Sequence, residues 1–329
     1  MYKNIFFDIS GVCNARCKYC QTGSNIEPQN SEGCNFVDVD DFKATIHQLQ
    51  KEQIISDKTC FFLFNWGEPL IHPRIKEILE FLNTLPNKFV ISSNLGVFPN
   101  LDSRLFKNLR EAYVSIPGFS QESYDRMHGL NFEKVKKNID KLIEAVGHRK
   151  VEIVMHQYKY NLHEIEKARQ YVAKKHTIFR TYPAYLNSYT MAKEFIEGSL
   201  NSDFRQEIKD ELIMDYVDDL LNERPKSYIC PQYDYLTIDE NCNYIVCCGI
   251  PKSASDYSLG SALSLTKTEL VSQKKRSMTC STCKECQSLK IDYWLNNPPR
   301  YPVEKFYRHP IGRLKALWWR LKRPYRLFL

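Results

Sequence analysis

The sequence lacks any hydrophobic run long enough to span a bilayer. It also lacks the apolar stretch of a secretory signal peptide, because Met1-Tyr2-Lys3-Asn4 leads directly into a short segment of strand length. These absences predict a cytoplasmic protein in which structural disulfides are not expected. The 12 cysteines among 329 residues therefore indicate metal binding in a reducing compartment.

The net charge of +7 is distributed unevenly along the chain. Residues 300–329 contain nine Lys or Arg and one Glu, so this segment carries +8 and the preceding residues sum to −1. The chain as a whole has 43% hydrophobic and 26% charged residues, the composition of an ordinary globular protein. We therefore expect attraction to an anionic partner from the tail and not from the body.

Strand-like and helix-like segments alternate through the first two thirds of the chain. Strands are predicted at residues 5–9, 60–64, 89–93, 112–116, 151–156 and 177–182. Helices are predicted at a segment capped by Asp40 or Asp41 and at residues 73–85, 101–109, 132–146 and 162–174. Such repeats imply a parallel sheet with helices outside it, and six units are too few for a closed eight-stranded barrel. The predicted fold class is α/β, an open partial (βα)6 parallel barrel.

Three cysteines, Cys13, Cys17 and Cys20, follow the first predicted strand with the spacing C-x3-C-x2-C. Soft thiolates on one loop suit a 4Fe–4S cluster, in which three cysteines bind three irons and the fourth iron stays open to a small molecule. Zinc is the alternative, but a structural zinc site needs four ligands, and the next cysteine is Cys34. The motif resembles that of the radical S-adenosylmethionine (radical SAM) superfamily, whose fold is a partial barrel of the kind predicted above.

A second motif follows the second predicted strand, at the end where sites in such folds lie. Residues 65–73 resemble the family's Gly-Gly-Glu-Pro motif, with Trp66 in place of the first glycine. Gly67 lets the backbone approach closely, and Glu68 offers a carboxylate to the amino group of SAM. An ordinary strand-to-helix turn is the alternative. The resemblance implies a set of SAM-binding residues: Tyr19, Gly67, Glu68, Pro69, Ser93, Asn94 and Ser115.

Several members of this set have alternative roles. Ser93 and Asn94 suit hydroxyl and carboxylate partners, but their segment would by itself be read as a turn. Tyr19 is expected beside the adenine through stacking, and packing within the loop is the alternative. After the fifth strand, Gln157 and Asn161 are weaker candidates.

A second cysteine-rich segment covers residues 227–290, where strands at 235–238 and 243–246 are predicted to form a hairpin. It resembles the auxiliary-cluster domain called SPASM, or twitch in its short form, with Cys242 where the pattern has a glycine. The resemblance implies an auxiliary 4Fe–4S cluster with these candidate ligands: Cys230, Cys247, Cys248, Cys280, Cys283 and Cys286. No cysteine follows Cys286, which favours one auxiliary cluster over two, and a zinc ribbon is the alternative. Cys34 and Cys60 are expected to be unligated.

These assignments divide the chain into a partial barrel at 1–195, a helical connector at 196–226, a small cysteine-rich β-hairpin/α domain of SPASM/twitch type at 227–295, and a basic C-terminal helix at 296–329. Residues 311–328 place apolar side chains on one helical face and cations mostly on the other. This pattern suits peripheral binding at the inner, anionic face of a membrane, although docking on the chain itself is the alternative. No nucleic-acid recognition motif accompanies the charge.

The resemblance implies an oxidoreductase that cleaves SAM reductively and abstracts hydrogen from its substrate, with an electron donor such as flavodoxin or ferredoxin. A sugar or another small metabolite alcohol is the expected substrate, and a glycan becomes attractive if the tail binds a membrane. The first alternative is a peptide-modifying maturase, against which the lack of a leader-binding domain before the barrel counts. A zinc-stabilised membrane-surface binding module is the alternative that is not an enzyme. The sequence identifies no acid or base at the reacting carbon.

Overall fold

The computed structural model describes residues 1–20, 22–23, 36–187, 189–213, 234–249 and 257–278. Its centre is one sheet with the strands β1 (Asn4–Phe7), β2 (Cys60–Phe62), β3 (Lys88–Ser93), β4 (Leu109–Ile116), β5 (Val151–Gln157), β6 (Ile178–Pro183), β7 (Tyr235–Ile238), β8 (Asn243–Ile245) and β9 (Ser258–Ser261). The strand order is β6-β5-β4-β3-β2-β1-β7-β8-β9. The neighbours from β6 to β1 pair in parallel, which confirms the predicted α/β class and parallel sheet.

Helices connect the parallel strands and follow them. In the described part of the chain they are α1 (Val39–Lys51), α2 (Ile75–Thr84), α3 (Gln121–Met127), α4 (Phe132–Val146), α5 (Ile165–Lys174), α6 (Tyr189–Glu197), α7 (Ser202–Glu211) and α8 (Lys267–Met278). The apolar side chains of α4 recur at helical spacing and are buried: Phe132, Val135, Ile139, Leu142 and Val146. The remaining face of α4 is polar, so this helix covers the outside of the sheet.

Two local predictions were wrong. The predicted helix at 101–109 is a short 3-10 turn, Ser103–Phe106, and β4 already begins at Leu109. The Asn108 side chain donates to the carbonyl oxygens of Leu82 and Leu85, and this ties the segment to the end of α2 instead of continuing a helix. The cap of α1 is Asp38 and not Asp40 or Asp41, because the Asp38 carboxylate accepts the backbone N–H groups of both.

Alternate residues of each strand face opposite sides of the sheet. The outer side packs against the helices and includes Ile5, Phe7, Phe61, Ile91, Val114 and Ile153. The inner side forms a second cluster with Phe6, Cys60, Phe64, Val90, Tyr113, Val154 and Tyr235. Cys60 is therefore a core residue, as expected from its place in a strand. The inner cluster therefore covers the side of the sheet that faces away from the helices.

The hairpin predicted from the cysteine-rich segment is formed by β7 and β8, which pair antiparallel. β7 also pairs in parallel with β1, so the hairpin extends the same sheet. The turn places Cys242 at φ +59°, in the left-handed region that favours glycine.

The division into domains stays a prediction, and the basic segment 311–328 lies outside the described residues. Among the helices that the structure describes, none is long and apolar enough to cross a membrane.

Candidate active site

The three cysteines of the first motif lie on one loop directly after β1. Its turns are closed by main-chain hydrogen bonds from Cys20 N to the oxygen of Cys17, at 3.2 Å, and from Gly23 N to the oxygen of Cys20, at 3.1 Å. Cys13, Cys17 and Cys20 are half-buried free thiols. The loop leaves β1 at the carboxyl edge of the parallel sheet, as the position of the motif predicts.

The environment of these thiols fits a group that supplies positive charge. Burial raises the pKa of Cys13 to about 12, and it also raises the pKa values of Cys17 and Cys20. At the same time, Ala15 N lies 3.4 Å and Asn94 Nδ2 lies 3.5 Å from the sulfur of Cys13. These donors favour the thiolate of Cys13, but burial outweighs them, so the thiolate needs a bound positive charge to form.

The donor set of this loop consists of thiols alone. Cys13, Cys17 and Cys20 lie within eight residues on one loop, and soft thiolates are the ligands that iron–sulfur clusters take. The residues present therefore fit a 4Fe–4S cluster.

The Trp66-Gly67-Glu68 segment packs against the base of the cysteine loop. Glu68 N donates to the carbonyl oxygen of Val12 at 2.9 Å. The Glu68 carboxylate is buried and accepts the backbone N–H groups of Leu70, at 3.1 Å, and Asn94, at 2.8 Å. Burial raises the pKa of Glu68 to about 7. Glu68 thus connects the first three strand ends, and a cationic partner would favour its charged form.

Sequence reasoning missed Asp8, which lies just beyond β1 and is buried. Its Oδ2 accepts the backbone N–H of Trp66 at 2.8 Å, and its Oδ1 accepts that of Gly67 at 3.4 Å. The carboxylate therefore fixes the turn that carries Gly67 and Glu68. A lone acidic residue at the end of an apolar strand was the signal that would have found it.

The residues after β3 complete this part of the site. Asn94 Nδ2 also donates to Oδ1 of Asn14 at 2.9 Å, and the Asn94 oxygen accepts Gly96 N at 2.8 Å. The Ser93 hydroxyl oxygen accepts Leu95 N at 2.9 Å. Leu95 adopts φ +51°, which turns the chain sharply beside the cysteine loop. Ser93 and Asn94 are thus brought to Cys13 and Glu68, while their assignment to SAM stays a prediction.

Pro69 and Ser115, two further predicted SAM-binding residues, lie on different elements. Pro69 begins a short 3-10 turn, Pro69–Ile71, and is buried. Ser115 is half-buried on β4 opposite Val154 of β5, and it shares the inner side of the sheet with Tyr113. The weaker candidate Asn161 has a structural role, because its amide donates to the carbonyl oxygens of Pro117 and His156.

Tyr19 is buried between the cysteine loop and α7. Its ring stacks on that of Phe204 at a centroid distance of 6.1 Å, and its hydroxyl donates to Oε2 of Glu211 at 2.5 Å. These contacts are those of loop packing, the alternative considered for this residue. A place beside the adenine stays a prediction for Tyr19.

A histidine–tyrosine pair at the ends of β5 and β6 was not predicted. His156 Nε2 lies 2.7 Å from the hydroxyl oxygen of Tyr182, and the two residues are partners in the strand register. Both share the inner side of the sheet with Val154. Burial lowers the pKa of His156 to about 4, so the ring is neutral and its nitrogen accepts the tyrosine proton. Their position as last residues of the predicted strands was the available signal.

An ion pair lies deeper on the same side. Arg180 Nη2 is 2.6 Å from Oε1 of Glu152, which is buried. Arg180 precedes Tyr182 by two residues on β6, and Glu152 precedes His156 by four residues on β5. On the same side of the sheet, Arg180 therefore lies one layer and Glu152 two layers below the histidine and tyrosine.

The cysteines of the second set are only partly described. Cys247 and Cys248 follow β8 and are half-buried, whereas Cys242 is buried in the outer core. The remaining candidates, together with Cys34, lie outside the described residues: Cys230, Cys280, Cys283 and Cys286. Their role as ligands of an auxiliary cluster stays a prediction.

Comparison with known proteins places this geometry in context. Residues 8–172, half of the chain, match the model of the radical SAM superfamily. Native anSMEcpe with bound AdoMet is similar over 95% of this chain and 98% of its own, at 14% identity and a TM-score of 0.58. Streptococcus suis SuiB bound to S-adenosylmethionine is similar over 88% of this chain and 72% of its own, at 15% identity and a TM-score of 0.57.

A third solved structure is BtrN in complex with AdoMet and 2-DOIA. It covers 87% of this chain and 93% of its own, at 13% identity and a TM-score of 0.50. At such identities these similarities show a shared fold. No curated protein matches the sequence.

Proposed function

Because this chain belongs to the radical SAM superfamily, we propose that it is a SAM-dependent oxidoreductase that converts an alcohol of a sugar or related small metabolite into a carbonyl group. Family membership implies a 4Fe–4S cluster and SAM. The observation that carries the finer proposal is the His156–Tyr182 pair, which supplies a proton acceptor at the end of the sheet where the cysteine loop lies.

The chain's own residues would hold the two groups. Cys13, Cys17 and Cys20 would ligate the cluster, and Glu68 would bind the amino group of SAM through its carboxylate. When bound, the cluster and SAM supply a radical that takes a hydrogen atom from carbon, and an auxiliary cluster supplies an acceptor for the remaining electron.

The protein's contribution to the oxidation is the transfer of the hydroxyl proton. Oxidation of an alcohol to a carbonyl removes the hydrogen on carbon, one further electron and the proton on oxygen. In our proposal the oxygen of Tyr182 accepts the substrate's hydroxyl proton while the Tyr182 hydroxyl proton moves to His156 Nε2. Burial keeps His156 neutral before the reaction, so Nε2 has a lone pair for this proton, although the same burial disfavours the charged ring that then forms. Arg180 lies one layer below and pairs with the buried Glu152, and its partly exposed guanidinium offers hydrogen-bond donors to a hydroxyl-rich substrate.

The auxiliary cluster belongs to the same proposal. Cys247 and Cys248 follow the strand next to β7, which pairs with β1 and therefore brings the segment to the same sheet as the cysteine loop. We place the domain at residues 227–295. Its ligands would come from these two cysteines and the four candidates outside the described residues. Binding of residues 311–328 to an anionic membrane is likewise a proposal, and it rests on the sequence pattern alone.

A peptide substrate is the second candidate. SuiB, one of the similar structures, is also solved bound to precursor peptide SuiA, at 14% identity to this chain and a TM-score of 0.53. If this chain shares that use of the fold, its product would be a modified peptide.

The first experiment is anaerobic purification with quantitation of iron and zinc, repeated on a Cys13→Ala/Cys17→Ala/Cys20→Ala variant. We expect about eight irons per chain, falling by about four in the variant, since each cubane holds four. Zinc without iron would contradict the proposal and favour the binding module. If the wild type holds about four irons and the variant holds none, the chain has no auxiliary cluster, and the argument for net oxidation fails.

The second experiment separates the proton acceptor from SAM cleavage. The iron-loaded wild type is incubated with dithionite, SAM and either cyclic polyols or peptides, and 5′-deoxyadenosine and oxidised product are quantified. We expect His156→Gln and Tyr182→Phe to form 5′-deoxyadenosine but at least about 100-fold less carbonyl product, the size of a general base contribution. His163→Gln, at an exposed histidine, is the control. Turnover of a peptide without a carbonyl product would support the second candidate instead.

A further inference from the structure

Glu211, the last residue of α7, ends a helix far from the cysteine loop in sequence but touches that loop. Its side chain is 3% exposed. Oε2 accepts the hydroxyl of Tyr19 at 2.5 Å, and Oε1 accepts Nε of Arg126 at 2.7 Å. Lys18 Nζ lies 3.6 Å from Oε1. A single buried carboxylate thus binds three side chains, two of which lie between the cysteines at 17 and 20.

These contacts belong to a series that leads from Glu211 through Arg126 and three tyrosines back to Glu211. The guanidinium of Arg126 lies over the ring of Tyr160 at 4.3 Å. Tyr160 stacks on Tyr158 with a centroid distance of 5.1 Å and an interplanar angle of 10°. The ring centroid of Tyr158 lies 6.2 Å from that of Tyr19, whose hydroxyl donates to Glu211. We refer to Tyr19, Tyr158, Tyr160, Arg126 and Glu211 as the Glu211 network.

The Glu211 network joins four separate segments: the cysteine loop, α3, the loop after β5, and α7. Cys17 packs against the same hydrophobic cluster, to which α6 and α7 also contribute. The loop between Cys17 and Cys20 therefore has a rigid backing, and Glu211 supplies the hydrogen bonds that close it. A loop so short has few internal contacts of its own, so its geometry depends on what it is packed against.

The partners of Glu211 offset the cost of burying its negative charge. A buried carboxylate is costly unless it is paired and hydrogen-bonded, and here one face is taken by Arg126 and Lys18 and the other by a hydroxyl.

We propose that Glu211 is a positioning residue for the iron–sulfur cluster, which acts through Tyr19 to hold Cys17 and Cys20 in ligating geometry. Mutation of a residue that orients a metal ligand without itself binding the metal typically lowers metal affinity by about 10–100-fold. The inference concerns the cluster of the family and does not rest on the proposed alcohol oxidation or on the auxiliary cluster. It assigns a role to the helical connector, which sequence reasoning left without one.

The test compares Glu211→Gln and Tyr19→Phe with a matched control, Glu207→Gln. Glu207 lies one turn earlier on α7 and pairs with Lys18, and it acts on Tyr19 through its charge, whereas Glu211 accepts the Tyr19 hydroxyl directly. The variants are made in a chain that keeps Cys13, Cys17 and Cys20, reconstituted anaerobically. Release of iron to an excess of bathophenanthroline is followed over time, and the EPR spectrum of the reduced protein is recorded with and without SAM.

We expect Glu211→Gln to release four irons about 10-fold faster than wild type and Tyr19→Phe to change in the same direction, while Glu207→Gln stays within about twofold. The SAM-dependent change in the EPR spectrum should be altered in the first two variants and unchanged in the control. A purely structural ion pair would lower the thermal unfolding temperature but leave both readouts as in wild type, and that result would overturn the proposal. If Glu211→Gln fails to fold, Tyr19→Phe, which removes one hydroxyl, decides by the same readouts.

Discussion

A Cβ atom on Gly67 would lie 1.7 Å from the carbonyl oxygen of Ser10. Ordinary contacts of a Cβ begin near 3.4 Å, so no side chain fits without displacement of main chain. The same atom would lie 2.9 Å from the carbonyl oxygen of Val12. The turn that carries Glu68 and the base of the cysteine loop therefore pack backbone against backbone, and only glycine permits this approach.

The first prediction is that Gly67→Ala separates these two segments. We expect the iron-loaded variant to lose SAM binding by at least about 10-fold, because overpacking of about 1–3 kcal/mol must be relieved by a backbone shift at the site. The measurement is equilibrium dialysis with labelled SAM. Gly147→Ala is the control: φ is +85° there but the space is open, so stability should fall by about 1 kcal/mol with SAM affinity unchanged. Normal SAM affinity in Gly67→Ala would contradict the role of this turn.

The second prediction concerns the charge of Glu68. In Glu68→Gln the side-chain oxygen still accepts one of the N–H groups of Leu70 and Asn94, so the chain should fold. The amide carries no negative charge, so we expect SAM affinity to fall about 10–100-fold, the value of a charge-assisted hydrogen bond. Isothermal titration of the iron-loaded variant with SAM measures this change. Glu122→Gln, an exposed position on α3, should bind as wild type does. Equal affinity in both variants would remove Glu68 from the SAM site.

The third prediction uses the left-handed backbone of Cys242. Glycine in place of alanine normally lowers stability by about 0.5–1 kcal/mol, but at φ +59° alanine carries a strain of about 1–2 kcal/mol. Cys242→Gly should therefore be more stable than Cys242→Ala by about 0.5–1 kcal/mol. Urea unfolding of the metal-free chains measures the difference.

The thiol of Cys242 lies beside Thr45 in the outer core. Iron content should consequently be the same in Cys242→Gly and wild type, whereas Cys247→Ala should lose about four irons if it ligates an auxiliary cluster. The reverse stability order would show that the side chain's packing outweighs the strain. Iron loss from Cys242→Gly would make Cys242 a ligand.

The fourth prediction concerns the buried ring of His128, packed edge-on against Tyr124 at 5.6 Å. Burial, and secondarily His156, lower the pKa of His128 from 6.5 to about 3. The unfolded chain therefore binds the proton first as pH falls, so this group's contribution is complete above pH 6.5 and is lost below it. Between pH 7.5 and pH 5 the loss amounts to about 2 kcal/mol.

We expect His128→Leu to lose about 2 kcal/mol less than wild type over that interval, measured by urea unfolding of the metal-free chain at each pH. His163→Gln, with its exposed ring, should follow the wild-type slope. An unchanged slope in His128→Leu would mean that the ring takes up its proton at the same pH in the folded and unfolded chains.

Local patterns were sufficient for most of the sheet. Strands and helices alternate with their own periodicities, and the six parallel strands lie within a few residues of their predicted ranges. The segment at 101–109 shows where such patterns fail. Its apolar residues have helical spacing, but Asn108 is recruited by carbonyl groups at the end of α2, a contact that no local pattern reveals.

The sequence by itself determined the chemistry of the site, because the spacing of Cys13, Cys17 and Cys20 and the Gly67-Glu68 pair are properties of short, contiguous segments. Only the tertiary structure decided which distant side chains meet them. Tyr19 and Glu211 are 192 residues apart, and His156 faces Tyr182 only because β5 and β6 pair in one particular register. Contacts of this kind depend on strand order, register and helix packing. These are fixed by the burial of the whole core and not by any segment of the chain.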